Sequence, residues 1–159
     1  MKIREILVEA DEEPYKHGAG HPFRLRSTAY EENNQAVLRK FKQIFDWTTA
    51  QYGHSAPMPS LYVVDHTHMQ EAAQRAEHST QINGQIFGWF TPRYANKIFL
   101  SNRVASLSSK AHAAILVHEI VHYLQSITPK HEKLKPFNAS HVQFLEDDAD
   151  AIMNLFLHS

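Results

Sequence analysis

The chain contains no cysteine, which excludes disulfide bonds and thiolate metal sites. Any metal held by its side chains must therefore be bound by histidine and carboxylate, and the chain has twelve histidines. A cysteine-free chain persists in any redox environment, so this absence does not identify the compartment.

The sequence also lacks an excess of either charge and a long apolar run. Its formal net charge of −1 leaves no basic surface that would favour nucleic acid. No apolar run approaches the ~20 residues that a membrane-spanning helix needs. The N-terminal segment MKIREILVEADEEP carries charges throughout and has no apolar core of a secretory signal. We therefore expect a cytoplasmic protein that binds neither nucleic acid nor membrane.

The length of 159 residues suits one domain with a hydrophobic core and is too short for two ordinary ones. We expect a single domain over residues 1–159, with an irregular N-terminal segment at 1–30. Strands that precede a pair of helices predict an α+β fold, in which a small, mostly antiparallel sheet packs on the first helix of that pair.

Hydrophobic periodicity predicts four helices and three strands. Lys2–Glu9 fits either a strand or a helix start. Gly88 interrupts one predicted strand, which indicates a bulge or a close backbone approach. The predicted helices are Glu31–Tyr52, Met69–His78, Ser106–Ile127 and Ser140–His158, and the predicted strands are Leu61–Val64, Gln85–Phe90 and Lys97–Ser101.

His118, Glu119 and His122 form an H-E-x-x-H motif in the long apolar helix Ser106–Ile127, for which Ser108 or Ser109 is the expected N-cap. Residues four apart lie on one side of a helix, about 6 Å apart along its axis, so both imidazoles can direct a nitrogen at one point. Glu119 lies about 100° further round, where it reaches a metal-bound water rather than the metal. The predicted core residues on the opposite face are Leu116, Val117, Ile120, Val121 and Leu124.

A third metal ligand is available on the last predicted helix, which carries Glu146 and Asp150 one turn apart. Catalytic zinc takes three protein ligands and keeps one position open, so Glu146 is the candidate for the third. Asp150 can accept the free N–H of His118 or His122, and such a carboxylate fixes the ring tautomer. A rival assignment takes a neighbouring aspartate, Asp147, Asp148 or Asp150, as the ligand.

The first two of these aspartates point about 100° and 200° away from Glu146 on a helix. We expect Asp147 and Asp148 to form a solvated acidic edge instead.

The H-E-x-x-H motif followed by E-x-x-x-D on the next helix resembles the gluzincin branch of the zincin metallopeptidases. This resemblance implies that His118, His122 and Glu146 bind Zn²⁺, that Glu119 is the general base and that Asp150 supports a histidine ligand. The short linker between the two helices is similar to that of compact members of the branch. The resemblance implies a zincin-like domain in which the C-terminal helix supplies the third ligand.

The resemblance covers the chain from about Ile82 to the C-terminus. A metzincin would need glycine and a third histidine where this sequence has Gln125 and Thr128, so that branch does not fit.

The resemblance also implies a reaction, the hydrolysis of peptide bonds. Zinc would activate a water, and Glu119 would take its proton and pass it to the leaving amine. The tetrahedral intermediate needs a further donor for its oxyanion. The candidates are Tyr94, Tyr123 and His141, and we favour His141 because it can enter the cleft from the start of the last helix.

The implied partner is a peptide or protein substrate. In zincins a strand at the sheet edge pairs with the substrate backbone as an added strand. Gln85–Phe90 or Lys97–Ser101 resembles that strand. The nearby aromatic residues Trp89, Phe90 and Tyr94 would either line a subsite or pack within the hairpin.

A zinc-dependent metallopeptidase is thus the predicted function. The alternative is a zincin-like binding module that keeps zinc as a structural brace and acts through protein partners, although Glu119 argues against it because a brace needs no base. A third hypothesis is that the motif is accidental and that no metal binds. Two further histidine pairs could bind metal, namely His17 and His21 in a predicted loop, and His66 and His68 if that H-x-H pair lies on a strand.

Overall fold

The computed structural model shows an α+β fold, with six strands and four helices among the residues that it describes. These residues are 3–5, 29–73, 79–82, 85–90, 96–104, 107–128 and 139–159. The elements in chain order are β1 (Ile3–Glu5), β2 (Ala29–Glu32), α1 (Gln35–Tyr52), β3 (Ser60–Val64), α2 (His66–Ala73), β4 (Ser79–Ile82), β5 (Gln85–Trp89), β6 (Lys97–Ser101), α3 (Ser109–Ile127) and α4 (Ala139–Leu157).

The strands form one mixed sheet in the order β1-β2-β3-β6-β5-β4. Strands β3 and β6 run parallel, whereas every other neighbouring pair is antiparallel. The predicted strands β3, β5 and β6 are confirmed, but the prediction that β5 or β6 forms an edge is wrong. Among the described strands, β4 covers β5 and is itself the edge. The sequence S-T-Q-I of β4 is mostly polar, as suits an edge strand, and such a strand lacks the apolar run that predicts a buried one.

Helix α1 begins later than the predicted helix Glu31–Tyr52, because Ala29–Glu32 is strand β2. The side chain of Asn34 caps the helix by accepting a hydrogen bond from the Val37 N–H at 3.1 Å. Gly53 ends it with a φ of 80°, a left-handed conformation that favours glycine. These two caps fix where the helix starts and stops.

Helix α3 packs against the sheet and against α1 and α4. Ser108 is its N-cap and accepts a hydrogen bond from the Ala111 N–H at 3.1 Å. Of the two predicted caps, Ser108 and Ser109, the first is therefore confirmed. Because α3 is covered on several sides, the polar residues in its middle are buried as well. The predicted core residues are all buried, namely Leu116, Val117, Ile120, Val121 and Leu124.

The N-terminal segment 1–30 is not irregular throughout, because β1 and the start of β2 fall within it. Backbone pairing with neighbouring strands orders these stretches. His17 and His21 lie outside the described residues.

Helix α2 starts at His66, three residues before the predicted helix Met69–His78, whose last residues, 74–78, lie outside the described ones. The idea of an H-x-H metal pair on a strand is therefore wrong, since residues two apart on a helix point about 200° apart. The buried His66 ring instead hydrogen-bonds Ser101 through Nδ1 and packs on Phe87.

None of the described helices has both the length and the apolar character that crossing a membrane requires.

Candidate metal centre

The two histidines of the H-E-x-x-H motif face helix α4, where they meet Glu146. The ligand atoms of His118, His122 and Glu146 lie within 4.8 Å of one another. The two Nε2 atoms are 3.1 Å apart, Glu146 Oε2 lies 3.5 Å from His118 Nε2, and the same oxygen contacts His122 Nε2. The structure thus brings one helix turn of α3 and one residue of α4 to a common point.

The chemistry of these three donors fits a zinc ion. Two imidazole nitrogens and one carboxylate oxygen are ligand types that catalytic zinc uses. Both histidines are buried, whereas 23% of the Glu146 side chain is exposed. The group could therefore hold a metal ion between α3 and α4, and Glu146 is its most exposed member.

The electrostatics around His118 also favour a cation. Burial acts to lower the pKa of His118, but hydrogen bonds with Asp150 and Glu146 and the charges of Glu119 and Glu146 outweigh burial and raise the pKa to about 10. The surrounding carboxylates therefore stabilise positive charge at this place. A divalent cation bound by neutral imidazoles would supply that charge without a proton on the ring.

Asp150 contacts His118 on the side away from Glu146. Its Oδ1 lies 3.1 Å from His118 Nδ1, which is the position predicted for a carboxylate that orients a ligand. Asp147 is exposed and accepts a hydrogen bond from the Gln143 amide at 2.8 Å, so it points away from the cluster as expected.

Asp148 does not belong to a solvated edge, which corrects the prediction for this residue. It is half-buried and accepts a hydrogen bond from Gln125 Nε2 at 3.0 Å. The same Nε2 donates to the Leu145 carbonyl at 2.9 Å, and Gln125 Oε1 lies 2.8 Å from His122 Nδ1. Sequence reasoning missed Gln125, although a polar residue one turn after His122 on an apolar helix was a signal that could have found it.

Glu119 is fully buried and lies against strand β5. A Cβ at Gly88 would be only 2.7 Å from Ile115 Cγ2 and 3.1 Å from Glu119 Oε2. The close backbone approach predicted at Gly88 is therefore confirmed, and the β4–β5 pairing also shifts register between Thr80 and Gln81. Only glycine lets the strand come this near to the carboxylate.

The three candidates for an oxyanion donor are not brought to the cluster by anything that the structure describes. The hydroxyl of Tyr123 donates to the Pro57 carbonyl at 2.6 Å, in the loop that follows α1. Tyr94 lies outside the described residues, and so does the side chain of His141, although its backbone is part of α4.

Trp89, the last residue of β5, and Phe90, which follows it, belong to the core. Trp89 and Phe90 are each 1% exposed, and their rings pack near Phe99 and Tyr123 respectively. The expectation that these two residues line a subsite is wrong, because a buried ring presents no surface to a ligand. The other expectation, packing within the hairpin, describes Trp89, which packs on Phe99 of β6, whereas Phe90 packs on Tyr123 of α3.

Comparison with known proteins gave no match to any family model, curated protein or solved structure. The functional inference for this chain therefore depends on the geometry between α3 and α4 and on the chemistry of the donors there.

Proposed function

We propose that this protein is a zinc-dependent metallopeptidase in which His118, His122 and Glu146 hold the metal. The observation that supports this most is the convergence of two imidazoles and a carboxylate from two helices, next to the buried carboxylate of Glu119. When bound, zinc would polarise the scissile carbonyl and lower the pKa of a bound water.

Glu119 is the general base of the proposed reaction. It takes the proton of the attacking water and passes it to the leaving amine. Because the backbone at Gly88 lies against its side chain, the carboxylate has little freedom to move. Such restraint suits a group that must meet a reacting water in one orientation.

Asp150 positions His118 in this proposal. Its Oδ1 lies 3.1 Å from Nδ1 of the ring, where a carboxylate favours a proton on Nδ1 and would leave the lone pair of Nε2 for the metal. The ring can then be neutral and still be held by a charged partner.

We infer that an extended peptide substrate binds along β4. This strand is the edge of the sheet on the side of β5, the strand whose Gly88 contacts Glu119. A peptide added there would gain main-chain hydrogen bonds. It would lie two strands from β5, whose Gly88 contacts the proposed base. This assignment replaces β5 and β6, which have neighbours on both sides.

The alternative is a binding module in which zinc only braces α3 against α4 and function depends on protein partners. Both proposed functions include the bound metal. They differ in whether Glu119 acts as a general base. A brace needs no buried carboxylate beside the ligands, so Glu119 favours the peptidase.

The test compares wild type with Glu119→Gln on a peptide library analysed by mass spectrometry, with zinc content measured in parallel. Glu119→Gln keeps the zinc and loses turnover by about 100-fold or more, because a general base typically contributes that much. The control is Asp147→Asn, which removes an exposed carboxylate of α4 and leaves turnover unchanged. Hydrolysis by Glu119→Gln at the wild-type rate would contradict the peptidase, and zinc binding without any hydrolysis by wild type would favour the brace.

A further inference from the structure

We propose that Gln125 is a positioning residue, which sets the tautomer of His122 and the placement of Glu146 through one side-chain amide. This inference rests on the proposed zinc site and adds a residue to it. Gln125 lies on α3 one turn after His122 and is only 3% exposed.

The orientation of the amide follows from its partners on α4. The Leu145 carbonyl and the Asp148 carboxylate, at 2.9 and 3.0 Å, offer hydrogen-bond acceptors. The NH₂ group of Gln125 must therefore face α4, and its oxygen must face His122. The Gln125 side chain thus hydrogen-bonds to residues of both α3 and α4.

The ring of His122 is fixed as a consequence. Gln125 Oε1 can only accept, so His122 Nδ1, 2.8 Å away, must carry the hydrogen. The lone pair of the neutral ring is then on Nε2, the atom that faces His118 Nε2 and Glu146. That is the protonation pattern which a metal ligand needs.

The same amide also fixes the position of Glu146, the third proposed ligand. Leu145 immediately precedes Glu146, and Asp148 follows it by two residues, so Gln125 holds α4 on both sides of the ligand. Because the site draws ligands from both helices, sliding or rotation of α4 would withdraw Glu146 from the histidines. His118 is oriented from α4 by Asp150, whereas His122 is oriented from within α3.

The experiment measures zinc affinity against a competing chelator in wild type, Gln125→Met, the double variant Gln125→Glu/Asp148→Asn, and the control Gln143→Met. Gln143 is an exposed glutamine of α4, so its loss leaves zinc affinity unchanged. Gln125→Met keeps the side-chain length but has no amide, and it lowers zinc affinity about 10- to 100-fold. The double variant recovers part of this loss, because the new carboxylate accepts from His122 Nδ1 and from the new amide at position 148, whereas the Leu145 carbonyl loses its donor.

Nitrogen NMR of histidine-labelled, zinc-loaded protein gives a readout that simple loss of packing would not move. Wild type and the double variant show a protected Nδ1–H at His122, and Gln125→Met loses it. Wild-type affinity and an intact Nδ1–H in Gln125→Met would overturn the inference. If Gln125→Met fails to fold, the double variant decides by its histidine signal, and loss of the protected Nδ1–H at His122 there would equally overturn the inference. The peptidase proposal fails separately, if zinc-loaded wild type hydrolyses no peptide.

Discussion

At the scale of the residue, each histidine of the proposed metal centre has its own orienting partner. Asp150 lies 3.1 Å from His118 Nδ1, and Gln125 lies 2.8 Å from His122 Nδ1. The Nδ1 atoms of the two rings therefore have separate partners, and loss of one partner leaves the other in place. Partners of this kind typically change metal affinity 10- to 100-fold, whereas removal of a ligand changes the coordination itself.

Glu146→Ala tests the ligand set directly. We expect zinc affinity to fall by more than about 100-fold, beyond the range of residues that only orient a ligand. Asp147→Ala is the matched control, because Asp147 is the next residue on α4 and its carboxylate is exposed. Competition with a chelator measures both variants, and equal losses would remove Glu146 from the ligand set.

The histidines and Glu119 could be proposed from sequence because their geometry is local. A spacing of four on one helix determines that His118 and His122 face the same way, whatever surrounds them. The position of Glu146 depends instead on how α4 packs, which the E-x-x-x-D pattern indicates only by resemblance. The contact of Gln125 with His122 is local to α3, but its contacts with Leu145 and Asp148 exist only once α4 packs beside it, so its full role could not be assigned from sequence.

At the scale of the element, strand β5 is held between helices as well as between strands. The side-chain amide of Gln70, on α2, hydrogen-bonds both the N–H and the carbonyl of Ile86 at 2.7 Å each, as a neighbouring strand would. Two residues on, Gly88 lies against Ile115 and Glu119 of α3. The backbone of β5 is therefore fixed from both helices close to the proposed base.

Gly88→Ala tests whether this approach matters for the reaction. The new Cβ would lie 2.7 Å from Ile115 Cγ2 and 3.1 Å from Glu119 Oε2, so β5 or the carboxylate must move. We expect peptide turnover to fall about 100-fold, the size of effect that a misplacement of about 1 Å produces. A destabilisation of about 1–3 kcal/mol by overpacking accompanies it.

Gly53→Ala is the control for that stability cost. Gly53 has a φ of 80° and open space around its Cα, so alanine there costs stability without touching the site. Turnover per folded molecule and the free energy of unfolding are measured for both variants. If Gly53→Ala lost as much turnover as Gly88→Ala, the contact with Glu119 would have no special role.

The elements that could be predicted are those with a strong apolar pattern. Strands β3, β5 and β6 and helices α3 and α4 have buried faces that repeat with the period of their structure. Strands β2 and β4 could not, because A-Y-E-E and S-T-Q-I carry few apolar residues and are ordered by pairing with neighbours. Missing β4 is what placed the sheet edge at the wrong strand.

At the scale of the whole molecule, the candidate site joins two elements of unequal burial. Helix α3 lies in the core, whereas α4 covers it from outside and exposes Phe144 and Leu155 to solvent. The proposed ligands come from both helices, so a bound ion would link the buried helix α3 to α4. An ion that binds only the folded chain stabilises it by mass action.

Zinc should therefore stabilise the folded protein, and the effect should require α4. At a free zinc concentration 1,000 times Kd the gain is about 4 kcal/mol. For a chain of this length that gain corresponds to a rise in Tm of about 10 °C. Thermal unfolding with zinc and with chelator measures the rise in Tm. Hydrogen exchange of the backbone amides should slow along α4 when zinc is present.

Glu146→Ala separates this link from binding by the two histidines alone. In that variant zinc can still meet His118 and His122 on α3, but it no longer holds α4, so the rise in Tm should be much smaller and exchange along α4 should stay fast. Gln143→Met, an exposed change on the same helix, should respond to zinc as wild type does. An equal rise in Tm for wild type and Glu146→Ala would show that the ion does not bridge the two helices, and α4 would then be a cover for the site rather than part of it.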